Sequence, residues 1–195
     1  MSGGLSGVIL AGGASRRMGR DKALLDVDGR PLIAVVAERL RSVVDELVIA
    51  SGDNEAYAQY ADRCVTDTFS GVGTLGGLHA GLDAAAHDRV LVVGCDMPFL
   101  NPAVLRWFAL AADGVDVVVL RQGEFLEPIH AVYRKSCLPA IEEVIGTGVR
   151  QAYAFYDRVR VRYVDPAEIE HLDPQFHSFL NVNTPIEWQR VSGER

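Results

Sequence analysis

Gly7-Val8-Ile9-Leu10-Ala11-Gly12-Gly13-Ala14-Ser15-Arg16-Arg17-Met18-Gly19-Arg20-Asp21-Lys22 decides how the rest of the chain is read. A short apolar run bounded by glycines is the signature of a buried parallel strand. Adjacent glycines without a Cβ let backbone N–H groups come close to a ligand. Arg16, Arg17, Arg20 and Lys22 then bring four cations within seven residues. Such charge suits a polyphosphate. The spacing is not that of a P-loop: from Gly13 the next usable glycine is Gly19, and Arg20 follows where lysine should stand.

Composition narrows the setting. The chain has 195 residues, enough for one sizeable core and short for two domains. Its hydrophobic content of 49% and charged content of 23% fit a soluble globular protein. No apolar run reaches the ~18 residues of a membrane span. The opening Met1-Ser2-Gly3-Gly4 has neither the basic nor the apolar region of a signal peptide. Cys64, Cys95 and Cys137 are odd in number and widely spaced, so reduced thiols in a cytoplasmic protein are expected. A net charge of −7 argues against a general nucleic-acid binder and makes the local cationic cluster more informative.

Apolar stretches alternate between strand and helix patterns downstream. The second strand is expected at Glu46–Ala50, followed by a short helix over Glu55–Tyr60 and a brief strand at Cys64-Val65. A helix from Leu75 to about His87 leads into the clearest central strand, Arg89–Gly94. Pro31 is read as the first residue of a helix reaching Ser42. Asn101 reads as an N-cap with Pro102 behind it. Strands are also expected at Val115–Leu120, Val159–Val164 and Phe179–Asn183. A turn over Gly123–Pro128 and a long helix over Ala131–Ile145 complete the pattern, with Val149–Phe155 also helical. Thr184-Pro185-Ile186-Glu187 has capping-box spacing and opens a terminal helix. This is a single α/β domain over 1–195, a doubly wound, mostly parallel sheet of the Rossmann-like type.

In such sheets ligands bind beyond the carboxyl ends of the strands. That rule gathers the loop at 11–22, Asp67, the loop at 71–77 and Asp96 along one edge. Asp96, at the end of the central strand, suits a Mg²⁺ ion that bridges phosphate oxygens. Lys22 suits a phosphate whose negative charge grows as a leaving group departs. Gly71-Val72-Gly73-Thr74-Leu75-Gly76 matches GxGxxG formally, and Asp96 lies 20 residues beyond Gly76. It follows a barely apolar strand with five residues between, so a nicotinamide-dependent reductase is only the alternative reading. His79 and His130 read as structural histidines.

Together these residues resemble the molybdenum cofactor guanylyltransferase family. Leu10–Lys22 is similar to its LAGGxSxRMGxDK signature. Thr74-Leu75-Gly76-Gly77-Leu78, Cys95-Asp96-Met97-Pro98 and Asn181-Val182-Asn183-Thr184-Pro185 match three later motifs in order, so the likeness runs from Val8 to Trp188. The resemblance implies transfer of GMP from GTP to molybdopterin carrying molybdenum, with release of pyrophosphate. It implies that Leu10, Ala11, Gly12 and Gly13 contact the nucleotide, together with Lys22 and Asp67. Asp96 would bind Mg²⁺, Arg16, Lys22 and Asp96 would be catalytic, and Asn181 and Asn183 would lie towards the pterin. Molybdenum-insertion proteins and molybdoenzymes are the implied protein partners. The chain departs from the family at Ala50, where many members have asparagine, and at Thr74, where proline is common. Gly12 favours guanine over the LAAG of related cytidylyltransferases. The runner-up enzyme is a nucleotidyltransferase using CTP or a sugar or polyol phosphate.

Overall fold

The computed structural model describes residues 3–12, 21–51, 55–69 and 71–192. The opening apolar run is β1 (Leu5–Leu10), buried along its whole length in the interior of a seven-stranded sheet, beside its middle strand. In space the order is β5 (Arg63–Val65), β4 (Glu46–Ala50), β1, β6 (Arg89–Gly94), β8 (Phe125–Arg134), β7 (Val117–Gln122) and β9 (Val161–Val164). Pairing is parallel for β4–β5, β1–β4, β1–β6 and β7–β9. Only β8 runs the other way, antiparallel to both β6 and β7. A separate hairpin pairs β2 (Asp26–Val27) with β3 (Arg30–Pro31). Both residues at its turn have positive φ, Asp28 at 53° and Gly29 at 79°, as a two-residue hairpin turn of mirror-image type requires.

Strand alternation splits the core in two. Leu5, Ile9, Leu47, Ile49, Leu91 and Val93 face one side, where α1 (Leu32–Arg41) and α3 (Pro102–Ala111) cover them with Ile33, Val36, Leu40, Leu105 and Phe108. Val8, Leu10, Val48, Val90 and Val92 face the other, under Leu75, Leu78 and Leu82 of α2 (Thr74–Ala84) and Ile141 and Val144 of α4 (Leu138–Gly146). Strands apolar on both faces with helices on each are what a doubly wound sheet demands. At Gly81 α2 packs tightly on β1: a Cβ there would lie 2.5 Å from Cγ1 of Val8.

Several segments differ from their sequence patterns. Pro31 ends β3 and caps α1 from outside. The span 125–134 is β8, not a turn and the start of a helix, and the helix occupies only Leu138–Gly146. Ile129–Tyr133 is a short apolar run whose period does not separate strand from helix. The open ladders of β6 and β7 on either side decide for strand. Pro139 lies in the first turn of α4, where its missing N–H costs nothing. Residues 149–155 form no helix; Phe155 and Tyr156 are buried against Tyr133 instead. Nor is 179–183 a strand: a 3₁₀ turn, His177–Phe179, passes into extended chain. That chain is anchored by Val182 and Trp188, the latter stacked on Phe99 at 5.2 Å between ring centroids. It enters the terminal helix (Pro185–Ser192), where Thr184 Oγ1 accepts the Glu187 N–H at 3.2 Å and the Glu187 carboxylate accepts the Asn183 N–H at 2.7 Å.

Candidate active site at the carboxyl edge of the sheet

Hydrogen bonds continue past the strand ends and align the loops that follow. Ala11 N–H donates to the Ala50 carbonyl at 2.8 Å, Ser51 N–H to Val65 at 2.9 Å, and Cys95 N–H to Leu10 at 3.1 Å. From β1 the chain turns one way to β4 and β5 and later returns on the other side as β6. The crevice between β1 and β6 is thus the switch point at which open α/β sheets bind ligands. Leu10 is buried there, Ala11 half-buried and Gly12 exposed. Gly13, Arg16, Arg17 and Arg20 lie outside the described residues.

Lys22 opens a 3₁₀ turn, Lys22–Leu24, capped by Asp21, whose carboxylate accepts the Ala23 N–H at 3.1 Å. The hydroxyl of the buried Tyr57 donates to the other Asp21 oxygen at 2.5 Å. Asp21 is therefore a structural clamp beneath the lysine. The Lys22 ammonium donates to Oδ1 of Asn183, which brings the terminal motif onto the opening loop. Asn183 and Asn181 flank the buried Val182 and are both exposed.

Asp96 sits in the turn after β6, and its carbonyl accepts the Val182 N–H at 2.7 Å. Burial raises its carboxyl above the ordinary range, while a backbone N–H and the positive charge of Lys22 pull it back. Lys22, Asp96 and the 181–183 segment accordingly share one patch. Burial likewise raises Asp67, opposed by the Phe69 N–H at 3.2 Å and by His79. Its carboxylate packs over the first turn of α2: a Cβ on Gly76 would be 2.3 Å from Oδ1. Gly73 before that helix has φ 68°, so the loop of the formal GxGxxG match turns tightly into α2 from the sheet-edge strand β5.

Glu127 has no part in the sequence motifs, yet its half-buried carboxyl is raised by burial and by the charge of Asp96. Its only sequence signal is a charged residue beside Pro128 within an otherwise apolar run. His130 is fully buried, with Nε2 2.9 Å from Ser178 Oγ, and burial lowers it to about 4. His79 Nε2 lies 3.0 Å from Glu142, away from Asp96. Both histidines are held in packing contacts. The three cysteines are free thiols, and burial pushes Cys95 up to about 12. A cavity of about 590 Å³ bordered by Leu5, Asp45, His87, Arg89 and Arg106 lies at the opposite, amino end of the sheet.

Among the described residues no three His, Cys, Asp or Glu side chains converge on a metal position. A divalent ion of the Mg²⁺ type needs no such cluster, since it binds through one or two carboxylates and takes its other ligands from water and substrate phosphates. Asp96 offers one half-buried carboxylate, and Lys22 shares its patch through the 181–183 segment.

Residues 7–161 match the model of the MobA-like NTP transferase domain. The chain is 44% identical over 182 residues to the probable molybdenum cofactor guanylyltransferase of Pelotomaculum thermopropionicum, covering 93% of this chain and 89% of the relative. It is 38% identical over 189 residues to the molybdenum cofactor guanylyltransferase of Desulfosudis oleivorans, covering 96% and 94%. The crystal structure of molybdopterin-guanine dinucleotide biosynthesis protein A from Archaeoglobus fulgidus superposes with a TM-score of 0.82 at 26% identity, over 97% of this chain and all of that one. The chain belongs to the MobA-like NTP transferase family and is a nucleotidyltransferase of molybdenum cofactor biosynthesis.

Proposed function

We propose that this protein transfers GMP from GTP to molybdopterin carrying molybdenum, forming the guanine dinucleotide cofactor and pyrophosphate, with Mg²⁺ as the metal. The observation that carries the reading is the convergence of Lys22 and Asp96, from the loops after β1 and β6, on the 181–183 segment: Lys22 donates to Asn183 and the Asp96 carbonyl accepts from Val182. Names of relatives at 44% and 38% identity support the substrates.

In this reading the backbone at Leu10, Ala11, Gly12 and Gly13 cradles the nucleotide, and Asp67, over the first turn of α2, contacts it as well. Asp96 holds the metal, which neutralises phosphate charge when bound. An oxygen of the molybdopterin phosphate attacks the α-phosphorus in line. One P–O bond forms, the bond to the β-phosphate oxygen breaks, and pyrophosphate leaves with the electron pair. Lys22 and Arg16 stabilise the charge on the α-phosphate and the departing pyrophosphate. Little covalent help is needed, so positioning and charge supply the catalysis. Asn183 fixes the Lys22 ammonium, and with Asn181 it borders the acceptor side. The enzyme acts as one domain over 1–195 in the cytoplasm, passing its product to molybdenum-insertion proteins or molybdoenzymes.

Nucleotide-dependent thermal stability tests this. A raised Tm with GTP and Mg²⁺ but not with CTP is the expected result, since a ligand bound only by the folded state stabilises it. Protection by CTP alone identifies a cytidylyltransferase.

A further inference from the structure

The pairing of β8 with its two neighbours is unequal. Against β6 the register is unbroken from Arg89↔Arg134 to Val93↔His130, and Ile129 stays beside Gly94, where a Cβ would lie 3.4 Å from Ile129 Cγ2. Against β7 it jumps: Val119 pairs with Ala131 but Arg121 with Leu126. One residue, Leu120, thus stands opposite the four residues 127–130. Bulges beside active sites re-aim side chains, and Pro128 is tolerated in such a place because it owes no N–H to the ladder.

This bulge is built into the core. The hydroxyl of the buried Tyr133 donates to the Pro128 carbonyl at 2.8 Å and lies 2.8 Å from the Tyr156 hydroxyl. His130 is held by Ser178, whose N–H donates to the buried Asp173 carboxylate at 2.8 Å. The β6 register carried on past Gly94 brings Glu127 to the turn that bears Asp96. Neither acid forms a salt bridge among the described residues. Glu127 is raised by burial and by the charge of Asp96, and a shared divalent cation removes the cost of holding two half-buried carboxylates in one place.

We infer that Glu127 is a second carboxylate for the divalent ion at Asp96, delivered to it by the 127–130 bulge. The inference rests on the nucleotidyltransferase reading of Asp96. Glu127 then fixes the ion between the strand of Asp96 and the β7–β8 hairpin.

Mn²⁺ titration monitored by electron paramagnetic resonance, with a GTP analogue that cannot be cleaved between the α- and β-phosphates, tests it without turnover. Glu127→Gln is expected to weaken Mn²⁺ binding about tenfold or more, Asp96→Asn further, and Glu127→Asp to an intermediate extent. If Glu127→Gln melts early, Glu127→Asp gives the reading, since it keeps the charge and shortens the reach. Wild-type Mn²⁺ affinity in the Glu127 variants, with Asp96→Asn impaired, overturns the role of Glu127 and leaves that of Asp96. Wild-type affinity in Asp96→Asn, or no Mn²⁺ binding by the unmodified protein, overturns both.

Discussion

The Lys22 ammonium donates to the Asn183 carboxamide across 161 residues of sequence. The contact joins the first motif of the chain to the last. It works because both ends are fixed independently: Asp21 and Tyr57 set the turn of Lys22, and Val182 and Glu187 set Asn183. Asn183→Ala should leave the fold intact and lower kcat/KM by about 10- to 100-fold, the scale of a misplaced charge. Steady-state kinetics with a parallel thermal melt checks this. Lys22→Ala should cost about 10²-fold or more in kcat.

Asp67 and Gly76 give a reciprocal test. Gly76→Ala forces a Cβ to within 2.3 Å of the Asp67 carboxylate. It should destabilise the protein by about 1–3 kcal/mol and weaken nucleotide binding. Adding Asp67→Gly should recover much of the stability and none of the binding. Denaturant unfolding of the two single variants and the double variant measures that coupling.

The α2–β1 contact carries packing alone. Gly81→Ala places a methyl 2.5 Å from Val8 Cγ1, between a central strand and its covering helix. A loss of about 1–3 kcal/mol is expected, relieved in part by Val8→Ala. KM for the nucleotide should stay unchanged in the double variant.

Two carboxylates should respond to pH in opposite directions. Asp96 is raised in the folded state by burial, so the stability it contributes is present at low pH and is lost as pH rises through its folded value. Asp96→Asn should therefore raise the Tm of the ligand-free protein at pH 7, and the gain should vanish below about pH 4. Asp116 is lowered from 3.8 to about 2, chiefly by its hydrogen bond from Arg160 at 3.0 Å. Its stability is present above 3.8 and is lost as pH falls towards 2. Asp116→Asn should lower Tm at pH 7 and have little effect near pH 2. Thermal melts across pH 2–8 resolve both trends.

The sequence was most legible where local pattern and tertiary demand agree. β4 and β6 lie at their expected limits, and Asn101 caps α3 with Pro102 at its first turn, because buried strands and cap chemistry are written locally. Lys22, Asp67 and Asp96 were placed at one edge by the rule for parallel strand ends. β8 was not legible: its conformation is imposed by two neighbouring strands, one earlier and one nearer in the chain, and its apolar run suits either structure. Glu127 and His130 form no metal-ligand pattern in the sequence; the place of Glu127 comes from the bulge, which exists only relative to a partner strand. The Lys22–Asn183 contact depends on how Val182 and Trp188 dock the terminal segment, which spacing alone does not encode.

The central claim is a reaction, and product formation tests it most directly. The purified protein is supplied with Mg²⁺, molybdopterin carrying molybdenum and either GTP or CTP, and pyrophosphate and the dinucleotide product are measured together. The account predicts equal amounts of pyrophosphate and molybdopterin guanine dinucleotide with GTP, little of either with CTP, and a loss of about 10²-fold in rate for Asp96→Ala. Pyrophosphate release with CTP but not GTP, or full turnover by Asp96→Ala, would contradict it.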